Sequence, residues 1–306
     1  MSAQALADGA ATRWRDEVVA PRLDALKQTS ARLRSAADEL CARTSQERLT
    51  TMRDAWVATF AAWRALDPLP LDDGLRKAIE PGPAELQKVE AGVRASSGDA
   101  PIAADTPAGG RGLQALEYLL WGNDGASRAL GRLQFHQRCV YAQALGQAIP
   151  AQVDALIAAD HGASATQGDY LDRIASSLED LTGPRLAQLG QGHQPTPTEF
   201  DGWRSKQTKR ALAAELGTME ELLLGPGGTG GYLAPQYAGE AGAALLARLR
   251  DDFDTIHATL GKLPDDLSDA FTRHPNIATP LIAKLQDVLA VVDTLRHAKG
   301  TTGSGN

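Results

Sequence analysis

The residues of this chain best suited to bind something lie between Gly112 and Gly122. At about 100° per residue, Gln114, Glu117, Tyr118 and Trp121 fall on one face of a helix, and Leu113, Leu116 and Leu120 form the adjoining apolar stripe. A carboxylate beside an amide and two amphipathic rings can ligate a cation, hydrogen-bond a polar ligand, or tie buried helices together. Glu117 supplies a hard oxygen; Gln114, one turn earlier on the same face, supplies only a weak amide oxygen or nitrogen. Two readings stand at this point, a ligand-binding face and a structural junction.

The rest of the chain must hold that helix among others. Its 306 residues are 43% hydrophobic but only 5% aromatic, and alanine and leucine abound while β-branched runs are short. That composition supports a substantial core and an all-α fold. The periodicity predicts a first helix from about Arg13 to Ala42, interrupted early by Pro21, and a second opened by a Thr44/Glu47 capping box. In the second, Met52, Trp56, Phe60 and Trp63 recur at core spacing up to a stop at Pro68 and Pro70. A weaker helix is predicted around 84–95, a loop over 96–110, and a turn at Asn123-Asp124-Gly125. Beyond it, a long helix from Leu130 bends at Pro150 and continues toward Ala159, and Tyr170 to Leu189 reads as another. After a linker over 190–197, Thr196 and Pro197 open a helix running to Leu224, which makes Arg204 and Thr208 neighbours one turn apart. Helices over about 239–263 and 280–297 and a disordered tail over 300–306 complete the chain.

A formal net charge of -7 and the absence of a basic cluster with interleaved aromatics argue against nucleic acid as a partner. The run Arg204 to Arg210 reads as a solvated helix face. No apolar stretch reaches the roughly 18 residues of a transmembrane helix. Met1 to Asp8 has the small-residue character of a region around a signal-peptidase site, consistent with an export signal already removed. Hydrolytic signatures are missing: the sequence has no His-Glu-x-x-His and no Gly-x-Ser-x-Gly elbow. The glycine-rich stretch Gly225 to Gly231 lacks the Lys-Ser/Thr ending of a phosphate loop and reads as an inter-helix loop. Asp251, Asp254 and His257 share a helix face, but a single Asp-x-x-His falls short of a di-iron bundle and reads as a solvated face. His136, His161, His193, His274 and His297 have no partner spacing that marks a site.

The segment Gly112 to Gly122 resembles the signature of the imelysin family, Gly-x-His-x-x-Glu followed by Tyr-Leu-Leu-Trp-Gly, with Gln114 at the histidine position. Arg138-Cys139-Val140-Tyr141, Val19-Ala20-Pro21 with the Leu40-Cys41 ending, and Arg204-Ser205 with Thr208 resemble further family segments. The resemblance implies two helical-bundle halves, 1–160 and 161–306, with the site where they meet. It implies a periplasmic protein linked to uptake of iron or another divalent metal, with an inner-membrane uptake partner. In that setting Cys41 and Cys139 could pair as a disulfide, whereas in the cytosol they would be two buried thiols. The family's peptidase label is not carried over, because Gln114 replaces the proposed metal histidine and no residue supplies an activated water. The leading expectation is a non-catalytic binding protein with Glu117 as metal ligand, Gln114 as auxiliary contact, Tyr118 and Trp121 as a wall, and Arg204, Ser205 and Thr208 approaching from the second half. The alternatives are a binder of a small anionic organic ligand, such as a uronate polysaccharide or a ferric chelate, with Glu117 purely structural, and a degenerate interaction scaffold.

Overall fold

Alanine and leucine make helix inexpensive along most of this chain, and among the described residues every regular element is helical. The computed structural model describes residues 3–96, 106–123, 128–160, 165–186, 196–225, 230–233 and 237–297. The predicted turn at Asp124-Gly125, most of the predicted loops over 96–110, 190–197 and 225–231, the tail, His161 and His193 lie outside them.

The first helical stretch begins earlier than its periodicity suggests, with α1 (Ala3–Trp14) joined through a π-type turn (Arg15–Val19) to α2 (Ala20–Ala42). Pro21 explains the turn. It has no N–H to give to the carbonyl four residues back, and its ring would crowd that carbonyl in a regular α-helix; a wider turn relieves both. The next helix, α3 (Gln46–Arg64), is capped by Ser45, whose hydroxyl accepts the Arg48 N–H, and not by Thr44. Met52, Trp56, Phe60 and Trp63 are all buried as its spacing requires, each contributing about 1.5–3 kcal/mol.

Two short helices follow, α4 (Asp73–Ile79) and α5 (Leu86–Ala95), then the motif helix α6 (Gly112–Trp121). The long helix expected from Leu130 is split into α7 (Ala129–Leu133) and α8 (His136–Asp160), and Pro150 sits inside α8. In the second part of the chain come α9 (Gln167–Asp180), α10 (Thr208–Leu224), α11 (Gly239–Lys262), α12 (Leu267–Arg273) and α13 (Thr279–His297).

Helices α3 and α8 both pack on α2, and a disulfide joins Cys41 of α2 to Cys139 of α8. Helices α9, α11 and α13 form a second packed group, and α10 touches both α3 and α11. The chain start belongs with this second group: α1 packs on α9, and the Trp14 ring lies tilted 5.0 Å from that of Tyr170 while donating its Nε1–H to the Leu222 carbonyl at 3.0 Å. One continuous hydrophobic core runs through both groups.

The largest departure from sequence expectation is at 197–224. Thr196 and Glu199 do form a capping box, but over a single 3-10 turn (Pro197–Glu199). The chain then turns through Gly202 (φ 71°) and Lys206 (φ 61°), both in the left-handed region, before α10 begins at Thr208. Arg204 and Thr208 are therefore not neighbours on a helix.

Candidate functional site

Both ends of α6 are tied to α3. Trp56 donates its Nε1–H to the Leu113 carbonyl at 2.9 Å, and Arg53 donates to the Leu120 carbonyl at 3.0 and 2.6 Å. The Arg53 bonds satisfy a carbonyl in the last turn that has no partner within the helix. Gly112 enters the helix at φ +83°, and a Cβ there would stand 2.6 Å from both the Ile79 carbonyl and Pro81 Cδ. No other residue fits that position without moving the chain.

Glu117 is fully buried and shares one oxygen, Oε1, between the Ser205 N–H (2.9 Å) and the Ser205 hydroxyl (2.7 Å). Its other oxygen, Oε2, makes no hydrogen bond and lies 3.9 Å from the Arg204 guanidinium. Burial pushes the Glu117 carboxyl above the ordinary carboxylate range, and the Ser205 bonds and Arg204 offset it only in part. Arg204 is held over the rings of Trp203 (4.4 Å) and Tyr118 (5.6 Å) and donates from Nε to Asn123 Oδ1 at 2.8 Å.

Gln114 is also buried. Its Nε2 donates to Glu80 Oε1 at 2.9 Å and to Asp201 Oδ1 at 2.8 Å, joining the segment after α4 to the turn before α10. Glu80 also receives the Trp63 indole N–H at 2.5 Å. Arg64 holds the same carboxylates together, pairing with Asp67 (3.0 Å), Glu80 (3.6 Å) and Asp201. Burial would raise the Asp67 carboxyl, but Arg64 and Arg76 outweigh it and hold it below the usual range.

The other predicted residues point elsewhere. Tyr118 donates its hydroxyl to Glu90 at 2.8 Å, alongside Arg138 at 2.7 Å, and Trp121 packs edge-on to Trp56 at 5.2 Å beneath Arg53. The Thr208 hydroxyl donates to the Asp201 carbonyl at 2.8 Å and so braces the turn. Gln114, Glu117, Arg204 and Ser205 are thus brought together, Tyr118 touches them through Arg204, and Trp121 and Thr208 stand apart. His257 meets Glu220 at 2.6 Å, while Asp251 and Asp254 are exposed.

A cavity of ≈ 360 Å³ opens beside this junction. Arg64 and Asp67 border it from α3 and the turn after it, Asp201 from the turn before α10, Glu215 from α10, and Arg173, Ser176, Ser177 and Asp180 from α9, with Arg185 just beyond. No hydrophobic residue lines it. Glu215 is buried and accepts from Arg185 at Oε2 (2.9 Å), and burial holds its carboxyl above the ordinary range despite that pairing. Sequence reasoning missed this set. Glu215 alone carried a signal, a carboxylate within the apolar pattern Ala211, Leu212, Leu216 and Met219 of a helix.

A sequence model of the imelysin family matches residues 19–295. The chain belongs to the imelysin family. The fold agrees: an imelysin-like protein from Psychrobacter arcticum 273-4 superposes with a TM-score of 0.74 at 18% identity, covering 95% of this chain and 94% of that one. A putative iron-regulated protein A precursor from Parabacteroides distasonis ATCC 8503 superposes with a TM-score of 0.69 at 15% identity, covering 96% and 95%. No curated protein matches the sequence.

The metal expected from the family resemblance can be tested against these donors. Among the described residues no three His, Cys, Asp or Glu side chains are grouped so as to hold a metal ion. The free Glu117 oxygen faces a guanidinium, and the Gln114 amide is spent on two carboxylates. These groups do not fit a bare metal ion at α6. No helix of the described residues is long and apolar enough to cross a membrane.

Proposed function

We propose that this imelysin-family chain is a non-catalytic binding protein, working outside the cytoplasm in the handling of iron or another metal, and that its ligand is a small, highly polar molecule or metal chelate. The ligand sits in the charged cleft beside α6, between the two bundle halves. One observation carries the reading: a cavity of ≈ 360 Å³ bordered only by charged and polar side chains, joined to the family motif through the Gln114–Asp201 hydrogen bond. A cavity of that size accommodates a small ligand, and its arginines present forked donors suited to carboxylates. In this reading Glu117, Ser205 and Gln114 bind the motif helix to the turn before α10 and keep the cleft in shape. The disulfide supports a location outside the cytoplasm, and the iron-regulated neighbour supports the link to iron.

The test is calorimetric titration with ferrous, ferric, cupric and zinc ions and with ferric citrate, on wild type, Glu117→Gln and Arg173→Gln. The reading expects a small polar ligand, ferric citrate being one probe, to bind with a dependence on Arg173 and little on Glu117. Stoichiometric binding of a bare ion that disappears in Glu117→Gln, with unchanged folding, would replace it with a metal site on α6.

A further inference from the structure

The cleft contains three arginines and four carboxylates, and most of them neutralise one another. Arg64 is spent on Asp67, Glu80 and Asp201, Asp67 is held by Arg64 and Arg76, and Arg185 is spent on Glu215. What remains unspent lies at two ends. Arg173 gives only its Nε–H, to the Asp67 carbonyl at 2.8 Å, and its nearest carboxylate, the exposed Asp73, is 4.0 Å away. Its terminal nitrogens are left for another acceptor, with the Ser176 hydroxyl one turn along. At the other end Asp180 lies 3.6 Å from its nearest cation, Arg185, and Glu215 commits only one of its oxygens. Arg173, Ser177 and Asp180 form one stripe of α9 at i, i+4 and i+7, which sets Arg173 and Asp180 about 10 Å apart along the helix axis.

Resting on the cleft as the ligand site, we infer that the ligand is an elongated small zwitterion, with an anionic group at Arg173 and an ammonium or similar donor at Asp180 and Glu215. A simple anion meets two carboxylates that share one arginine at the far end, and a simple cation meets Arg173. Burying either end unpaired costs more than it returns, so the cleft selects against molecules carrying only one of the two charges. An apolar or aromatic ligand has no surface to bury there.

Triglycine is a suitable probe, because three extended residues span roughly 10 Å. Calorimetric titration compares it with N-acetyltriglycine, which lacks the ammonium, with triglycinamide, which lacks the carboxylate, and with ferric citrate. Triglycine is expected to bind at least tenfold tighter than either blocked peptide. Arg173→Gln should bring triglycine down to the level of triglycinamide, and Asp180→Asn should bring it toward N-acetyltriglycine. Both side chains are partly exposed, and the Asp67 carbonyl keeps the Ser177 hydroxyl at 3.2 Å, so both variants should melt close to wild type. Arg173-dependent binding of ferric citrate without a preference for triglycine would overturn the zwitterion while leaving the cleft as the ligand site. Equal binding of all three peptides would overturn the inference as well. Failure of all four probes would overturn it and remove the support for the cleft.

Discussion

Ser205 gives Glu117 two hydrogen bonds at a single oxygen, from the backbone at 2.9 Å and from the hydroxyl at 2.7 Å, and leaves the other oxygen of that buried carboxylate without one. The motif glutamate is therefore anchored in a turn 88 residues away in sequence. Removing the hydroxyl deprives a buried carboxyl oxygen of one of its two partners. Ser205→Ala should cost about 1–3 kcal/mol in urea unfolding. A change below about 0.5 kcal/mol, the range of ordinary surface substitutions, would mean that water replaces the hydroxyl and that the anchor is the backbone N–H alone.

Glu117 also makes a pH prediction. Its folded pKa is raised, so the folded state holds a proton that the unfolded state releases near the ordinary carboxylate value. The penalty is absent below that value, grows as pH rises through the window up to the folded pKa, and is constant above it. Glu117→Gln cannot titrate and keeps an oxygen for Ser205. Relative to wild type, its unfolding free energy should rise as pH climbs from the ordinary carboxylate value to the raised folded pKa, and stay level above it. A difference that stays flat with pH would show that Glu117 titrates as an ordinary carboxylate.

Gln114 stands where the family carries histidine, and its one amide nitrogen serves two carboxylates, Glu80 and Asp201. A neutral imidazole has one N–H and can serve only one of them; an imidazolium can serve both. Gln114→His should therefore raise the new histidine above its ordinary value of about 6.5. The stability this pairing contributes is then fully present below about 6.5 and lost as pH rises through the raised folded pKa. Unfolding of wild type and variant from pH 5 to 9 checks this, and a variant that strengthens with rising pH would contradict it.

Much of this arrangement was legible in the residue pattern and part of it was not. The buried face of α6 and the Met52 to Trp63 stripe follow from helical period, because burial on a helix repeats every three to four residues. The partners of that face do not. Asp201 and Ser205 reach Gln114 and Glu117 only because the chain turns at Gly202 and Lys206, and Lys206 adopts a left-handed backbone that its residue type disfavours. A local reading of 197–224 sees a sound cap followed by helix-compatible residues and extends the helix through the turn. The charged cleft was hidden for the same reason, since it collects side chains from α3, α9, α10 and the turns between them.

Gly112 supplies a conformational prediction. At φ +83°, with the Ile79 carbonyl 2.6 Å from where a Cβ would lie, Gly112→Ala combines a left-handed penalty with a backbone clash. The conformational part alone is about 1–3 kcal/mol. Relief requires α6 to shift away from the segment after α4, which should loosen the Gln114–Glu80 bond. The variant is expected to lose at least that much stability, and hydrogen exchange should speed up over 112–117 more than over α11. Uniform acceleration across the chain would show that only global stability had changed.

The disulfide between Cys41 and Cys139 joins residues 98 apart in sequence, so it removes many conformations from the unfolded chain and few from the folded one. For a loop of about 100 residues the chain-entropy argument gives close to 5 kcal/mol, and measured losses in small secreted domains run to about 2–5 kcal/mol. The double variant Cys41→Ser, Cys139→Ser should lose stability in that range while keeping its helical circular dichroism, because α2 and α8 also pack along their lengths. Thiol titration of the unfolded wild type should find no reactive thiol before reduction and two after it. Two thiols in both samples would show that the cysteines are unpaired and would take away the support that the disulfide lends to a location outside the cytoplasm.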